Sequence, residues 1–178
     1  DSVDSNQKLS GAKFNLFDKY GNKIQEATSD INGELKFDRL RFNVPYTVTE
    51  IVAPIGYKLS DENYIFTIDS AQGSLKDIQY QFKNTKKAGD IRFAKIGNDG
   101  KFLQGAEFTL YNAENVIITT ATSGINGEVL FSQIPFGTYT VKETKAPTGY
   151  TLSTLTKTVE ILADGNTYYL GTFTNVKI

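Results

Sequence analysis

The feature that most constrains this chain is that its sequence is written twice. Gly11-Ala12-Lys13-Phe14-Asn15-Leu16 is answered by Gly105-Ala106-Glu107-Phe108-Thr109-Leu110, and Ala27-Thr28-Ser29-Asp30-Ile31-Asn32-Gly33-Glu34-Leu35 by Ala121-Thr122-Ser123-Gly124-Ile125-Asn126-Gly127-Glu128-Val129, both at an offset of 94 (105 − 11). Tyr46-Thr47-Val48-Thr49-Glu50 pairs with Tyr139-Thr140-Val141-Lys142-Glu143, and Ala53-Pro54-Ile55-Gly56-Tyr57 with Ala146-Pro147-Thr148-Gly149-Tyr150, one residue closer. Each half closes alike, on Phe82-Lys83-Asn84 and Phe173-Thr174-Asn175. Self-similarity at a fixed period means one structural unit used twice. The expected domains are residues 1–87 and 88–178, joined near Thr85-Lys86-Lys87-Ala88-Gly89.

Within each copy, short alternating runs rich in Thr, Val, Ile, Tyr and Phe are broken by Gly, Asn, Asp and Pro, the pattern of a β-sandwich. The fold class expected is all-β, two tandem Ig-like sandwiches. In the second copy the alternation predicts strands near 90–96, 106–112, 116–122, 127–132, 137–144, 155–162 and 168–176, with turns at Asn126-Gly127 and Asp164-Gly165.

Composition narrows the function. The chain has no cysteine and no histidine, which removes disulfides, thiolate nucleophiles, the usual general base and the usual transition-metal ligands. An enzyme is not expected, nor a cofactor, nor a metal. Asp30, Asn32 and Glu34 alternate as in a calcium loop, but the stretch is too short and Gly124 replaces Asp30 in the second copy, so a turn is the reading. Nineteen basic against twenty acidic residues leave a net charge of −1, without the footprint of a nucleic-acid binder. No apolar run is long enough to span a membrane, and no charged-then-apolar leader opens the chain, which reads as a mature fragment.

Side chains alternate across a strand, so residues two apart share a face. Ile91, Phe93 and Lys95 share one; Tyr139, Val141 and Glu143 share another; Tyr169, Gly171, Phe173 and Asn175 a third. A lysine, a glutamate and an asparagine thus each end an inward apolar series, where an isolated charge is expensive. Periodicity alone allows either a rim position with a simple Lys–Glu ion pair or convergence inside. In the first copy Tyr46, Val48 and Glu50 share a face, as do Ile78, Tyr80, Phe82 and Asn84, but the position of Lys95 falls on Asp1 (95 − 94). Lys8 and Lys13 lie at the turn and in the following strand, and are not expected to substitute.

The order of lysine-bearing first strand, Gly-Ala-x-Phe-x-Leu, Asn-Gly-Glu turn, Tyr-Thr-Val-x-Glu-x-x-Ala-Pro-x-Gly-Tyr and terminal Phe-x-Asn resembles the Cna protein B-type (prealbumin-like) domain of Gram-positive pilins and collagen-adhesin stalks. The resemblance implies a spontaneous intramolecular isopeptide bond, with Lys95 as nucleophile, Asn175 as electrophile and buried Glu143 as proton shuttle. Desolvation would lower the lysine pKa from about 10.4 and supply the neutral amine the attack needs, while the glutamic acid would polarise the Asn175 carbonyl. In the first copy Glu50 and Asn84 correspond, their bond in doubt for want of the lysine, and they are expected beside a gap. The implied protein is an extracellular, cell-wall-attached stalk or shaft module, its partners being neighbouring domains or pilin subunits. The rival is an adhesin module gripping a host extracellular-matrix protein through loop aromatics, for which Tyr57, Tyr150 and Phe136 are the candidates.

Overall fold

The computed structural model of the protein describes residues 7–70 and 78–178. The chain divides into two compact units, Asp1–Lys86 and Lys87–Ile178, and no α-helix occurs among the described residues. The all-β expectation holds in both copies.

Unit 2 has seven strands: β5 (Ala88–Gly97), β6 (Glu107–Asn112), β7 (Ile117–Thr122), β8 (Glu128–Pro135), β9 (Gly137–Lys145), β10 (Thr156–Ile161) and β11 (Thr167–Asn175). One sheet runs β10-β9-β6-β7 and is antiparallel throughout. The other runs β11-β5-β8, and in it the first and last strands of the unit lie side by side and parallel. The core is the set of inward residues that alternation selects, among them Ile91 and Phe93 of β5, Phe108 and Leu110 of β6, Val129 and Phe131 of β8 and Tyr139 and Val141 of β9. Phe93 sits at its centre, with ring centroids 4.8 Å from both Phe108 and Phe173.

The turns at Asn126-Gly127 and Asp164-Gly165 form, but each carries the chain from one sheet to the other instead of closing a hairpin. The expected joint is also shorter than 85–89, because Ala88 and Gly89 are already in β5.

The face assigned to the last strand needs correction. Tyr169 and Gly171 do not share a face with Phe173 and Asn175: the β5–β11 register shifts between Tyr169 and Thr172, and Gly171 adopts φ +70°. This bulge adds one residue, so Tyr168 and Leu170 point inward before it and Phe173 and Asn175 after it, while Tyr169 is 75% exposed.

Unit 1 has β1 (Lys13–Phe17), β2 (Lys23–Thr28), β3 (Pro45–Val52) and β4 (Asn63–Thr67), one antiparallel sheet in the order β2-β1-β3-β4. These match β7, β6, β9 and β10 in position. Among the described residues unit 1 has no second sheet. Residues 34–41 and 78–84, which align with β8 and with the end of β11, form no strand; in unit 2 both counterparts are built on β5. Phe82 nonetheless packs on Phe14, with ring centroids 4.8 Å apart. The position corresponding to Lys95, Asp1, lies outside the described residues.

Candidate functional site

Lys95, Glu143 and Asn175 come from β5, β9 and β11, strands of both sheets, and they meet inside unit 2. Lys95 is 0%, Glu143 5% and Asn175 1% exposed. The rim arrangement is therefore not the one found. Lys95 Nζ donates to Asn175 Oδ1 and to the Phe173 carbonyl oxygen at 3.0 Å, and lies 3.6 Å from Glu143 Oε1. Asn175 Nδ2 donates to the same Glu143 oxygen at 2.9 Å. Glu143 thus faces the nitrogen that an attack on the amide would expel; the carbonyl oxygen, which the sequence reading gave to it, faces Lys95.

The Lys95 pKa is lowered from its usual value, first because burial disfavours the cation, with Glu143 opposing that shift through its charge and hydrogen bonding. The amine is thereby closer to the neutral form that can attack a carbonyl carbon. A buried amine, an amide within reach and a carboxylate touching both can exchange one amide nitrogen for another, with ammonia as the product.

Glu143 Oε2 is held by the backbone N–H of Ser153 at 2.7 Å. Ser153 follows the Pro-x-Gly-Tyr loop, which is tied down from several directions. The Thr151 N–H donates to the Val176 carbonyl, Tyr150 bridges Lys177, and the Tyr150 hydroxyl donates to Asp99 at 3.2 Å. Unit 1 repeats this: the Ser60 N–H donates to Glu50 Oε2 at 2.7 Å, and Tyr57 bridges Lys86. Face alternation cannot find a loop amide, although the Leu59-Ser60 and Leu152-Ser153 pairs, each ending ten residues after its glutamate, were a visible repeat. Gly127 is a second residue the sequence reading placed only as a turn. With φ +72°, a Cβ there would come within 2.4 Å of the Lys95 carbonyl oxygen, so the turn glycine lets the backbone pack against the lysine strand.

In unit 1, Glu50 is 2% exposed and Asn84 Nδ2 donates to its Oε2 at 2.7 Å. The other oxygen, Oε1, is buried without a hydrogen-bond partner. Lys8 and Lys13 are both exposed, Lys13 paired in β1 opposite Thr28 and Val52. Asp30 caps its own turn, accepting from the Asn32 and Glu34 amides. The loop aromatics are engaged within their own units: the Tyr57 hydroxyl donates to Gln7, Tyr150 to Asp99, and Phe136 packs on the core. No helix among the described residues is long and apolar enough to cross a membrane.

Comparison with known proteins follows the same division. The family described as SpaA, prealbumin-like fold domain, matches residues 1–86 and again 89–175. The chain is 30% identical over 183 aligned residues to serine-aspartate repeat-containing protein F of Staphylococcus epidermidis, covering 92% of this chain and 10% of that protein. It is 39% identical over 88 residues to the trypsin-resistant surface T6 protein of Streptococcus pyogenes serotype M6, covering 49% of this chain and 16% of that one. Among solved structures it superposes on the Bacillus anthracis TIE protein with a TM-score of 0.75 at 28% identity, over 99% of this chain and 33% of that chain. The chain spans only a small part of each of these relatives.

Proposed function

The chain belongs to the SpaA family of prealbumin-like fold domains, present as two copies in tandem, and on that premise we propose that it is a stalk or shaft module of a Gram-positive cell-surface pilin or adhesin. In this reading the module is extracellular, part of a wall-attached protein, and assembles with neighbouring domains or subunits of the same surface structure. Unit 2 is stabilised by a self-generated amide between Lys95 and Asn175.

The observation that carries the reading is the contact of a fully buried lysine nitrogen with the Asn175 side-chain amide, with Glu143 bridging amine and leaving nitrogen. The Lys95 nitrogen attacks the Asn175 side-chain carbon, the bond from that carbon to Nδ2 breaks, and Glu143 carries a proton from the attacking to the departing nitrogen. The products are a secondary amide and ammonia. The reaction occurs once per molecule, so the protein is its own product and no turnover follows. It also replaces a costly buried amine and carboxylate pairing with a neutral amide beside the acid.

The new bond closes a loop of 80 residues. On the chain-entropy argument used for disulfides this is worth about 4.5 kcal/mol, in a chain without cysteines. Tension entering at Ala88 would leave β5 at Lys95 and cross directly to Asn175, bypassing everything between. Intact-protein mass spectrometry tests the proposal. The wild-type chain is expected one ammonia lighter than its sequence, and Lys95→Ala, Asn175→Ala and Glu143→Ala each at their full sequence mass. A wild-type chain of full mass, or an ammonia loss that survives Glu143→Ala, sinks it.

A further inference from the structure

Two lysines converge on Phe173, one from each sheet. Lys95 Nζ, from β5, donates to the Phe173 carbonyl oxygen at 3.0 Å. Lys157 Nζ, from β10, lies 5.2 Å from the centre of the Phe173 ring and donates to the carbonyl oxygen of Leu170. In β10 Lys157 shares the inward face with Val159 and Ile161, both buried. A half-buried ammonium on that face is costly unless something holds it, and its partners are a main-chain carbonyl and an aromatic face.

The place it grips is the bulge of β11. Tyr169 pairs with Arg92 and Thr172 with Ala94, which leaves Leu170 and Gly171 opposite the single residue Phe93. A bulge takes its extra residue out of the ladder, and a carbonyl released in this way needs another donor. Lys157 supplies one to Leu170, and a Cβ on Gly171 would sit 3.7 Å from the same nitrogen. Unit 1 closes the corresponding place by other means. Glu50, Ser60 and Tyr64 match Glu143, Ser153 and Lys157 at an offset of 93 (143 − 50), and Tyr80, Phe82 and Asn84 match Gly171, Phe173 and Asn175 at 91 (175 − 84). Tyr64 and Tyr80 stack with ring centroids 3.9 Å apart. Where unit 1 has two rings, unit 2 has a glycine that permits the bulge and a lysine that covers it.

Resting on the isopeptide reading of unit 2, we infer that Lys157 is a positioning residue for the Lys95–Asn175 reaction: it clasps the β11 bulge and so sets which residues beyond it face the interior. A strand that slips by one at this point turns Phe173 and Asn175 outward together. The clasp thus acts on both groups that meet the Lys95 amine, the Phe173 carbonyl that holds it and the Asn175 amide that it attacks. Lys157 itself exchanges no proton and forms no bond.

The reaction is followed in time. The 178-residue chain is made by cell-free translation, synthesis is stopped after a short pulse, and samples acidified at intervals are weighed by mass spectrometry for the loss of ammonia. Lys157→Met, which keeps an apolar stem but not the donor, is expected to lose ammonia about 10²-fold more slowly than wild type, the cost of misplacing reacting groups by about 1 Å. Lys157→Arg keeps a charged donor and should restore most of the rate. Val159→Ala truncates a core side chain on the same face of β10; it should lower the melting temperature and leave the rate near wild type, which separates register from stability. If Lys157→Met does not fold, Lys157→Gln, a bond too short to reach the carbonyl, is read in its place. A donor-removing variant no slower than Val159→Ala, or a Lys157→Arg chain equally slow, overturns the inference. Ammonia loss in the wild type with Lys157→Met keeping pace sinks the clasp alone, whereas a wild type that never loses ammonia sinks the reading on which it rests.

Discussion

Lys95 is the largest fully buried side chain among the described residues, and its surroundings decide in which protonation state it is tolerated. Burial lowers its pKa while Glu143 pulls it back up, so removing the carboxylate leaves only the lowering influence. In Glu143→Ala the lysine stays unreacted, and its folded-state pKa lies below its unfolded value of about 10.4. Between those two values the unfolded chain binds more protons than the folded one, so stability rises with pH across that window and is lost as pH falls through it. The urea midpoint of unit 2 in Glu143→Ala is expected to be higher at about pH 10 than at about pH 8. A wild type whose lysine is consumed in the proposed amide should lack this dependence. Equal slopes in the two proteins would show that Lys95 is not the group responsible.

At the scale of elements, alternation carried the reading a long way and failed where the backbone leaves its period. In β5 and β9 every inward residue named from the sequence is buried, Lys95 and Glu143 included. In β11 the inward set was wrong from Gly171 back, because one extra residue at a bulge reverses parity and nothing in a period of two marks its place. The glycine was the available clue, since an isolated glycine in a strand pattern often signals a bulge. Deleting Gly171 restores a regular strand and turns either Tyr168 and Leu170 or Phe173 and Asn175 outward. The proposed side-chain bond to Lys95 would anchor the C-terminal half only after folding, whereas the core holds both halves during it, so the deletion is expected to abolish or strongly reduce the ammonia loss and to lower the melting temperature. Full modification with unchanged stability would mean the bulge does not set the register of Asn175. The expected turns were legible from their Asn-Gly and Asp-Gly pairs. Their crossing between sheets was not, because a turn signal says that the chain reverses and not which strand it meets next.

Across the whole molecule, two nearly equal sequences give unequal structures. Among the described residues, thirteen buried apolar side chains form the unit 2 core cluster and five that of unit 1. β5 is the middle of its sheet and carries the ladders of both β8 and β11, whereas among the described residues no strand pairs with 34–41 or 78–84, and the sequences of those runs cannot reveal this because each still alternates correctly. Hydrogen exchange should separate the copies, with amides of residues 34–41 exchanging at least ten times faster than those of 128–135, where main-chain bonds to β5 protect them. Equal protection would indicate that 34–41 is paired in solution. The parallel adjacency of β5 and β11 has a further effect once Lys95 and Asn175 are joined. Residues 95–175 then make a closed covalent ring, with one tail entering at Lys95 and the other leaving at Asn175. A protease that cuts once inside the ring, at exposed Lys101 for example, opens the ring but releases nothing. Under denaturing electrophoresis the singly nicked wild type should run as one molecule, one water heavier than intact, while nicked Asn175→Ala separates into two fragments. A surface module closed in this way stays whole after a cut that would sever an open chain.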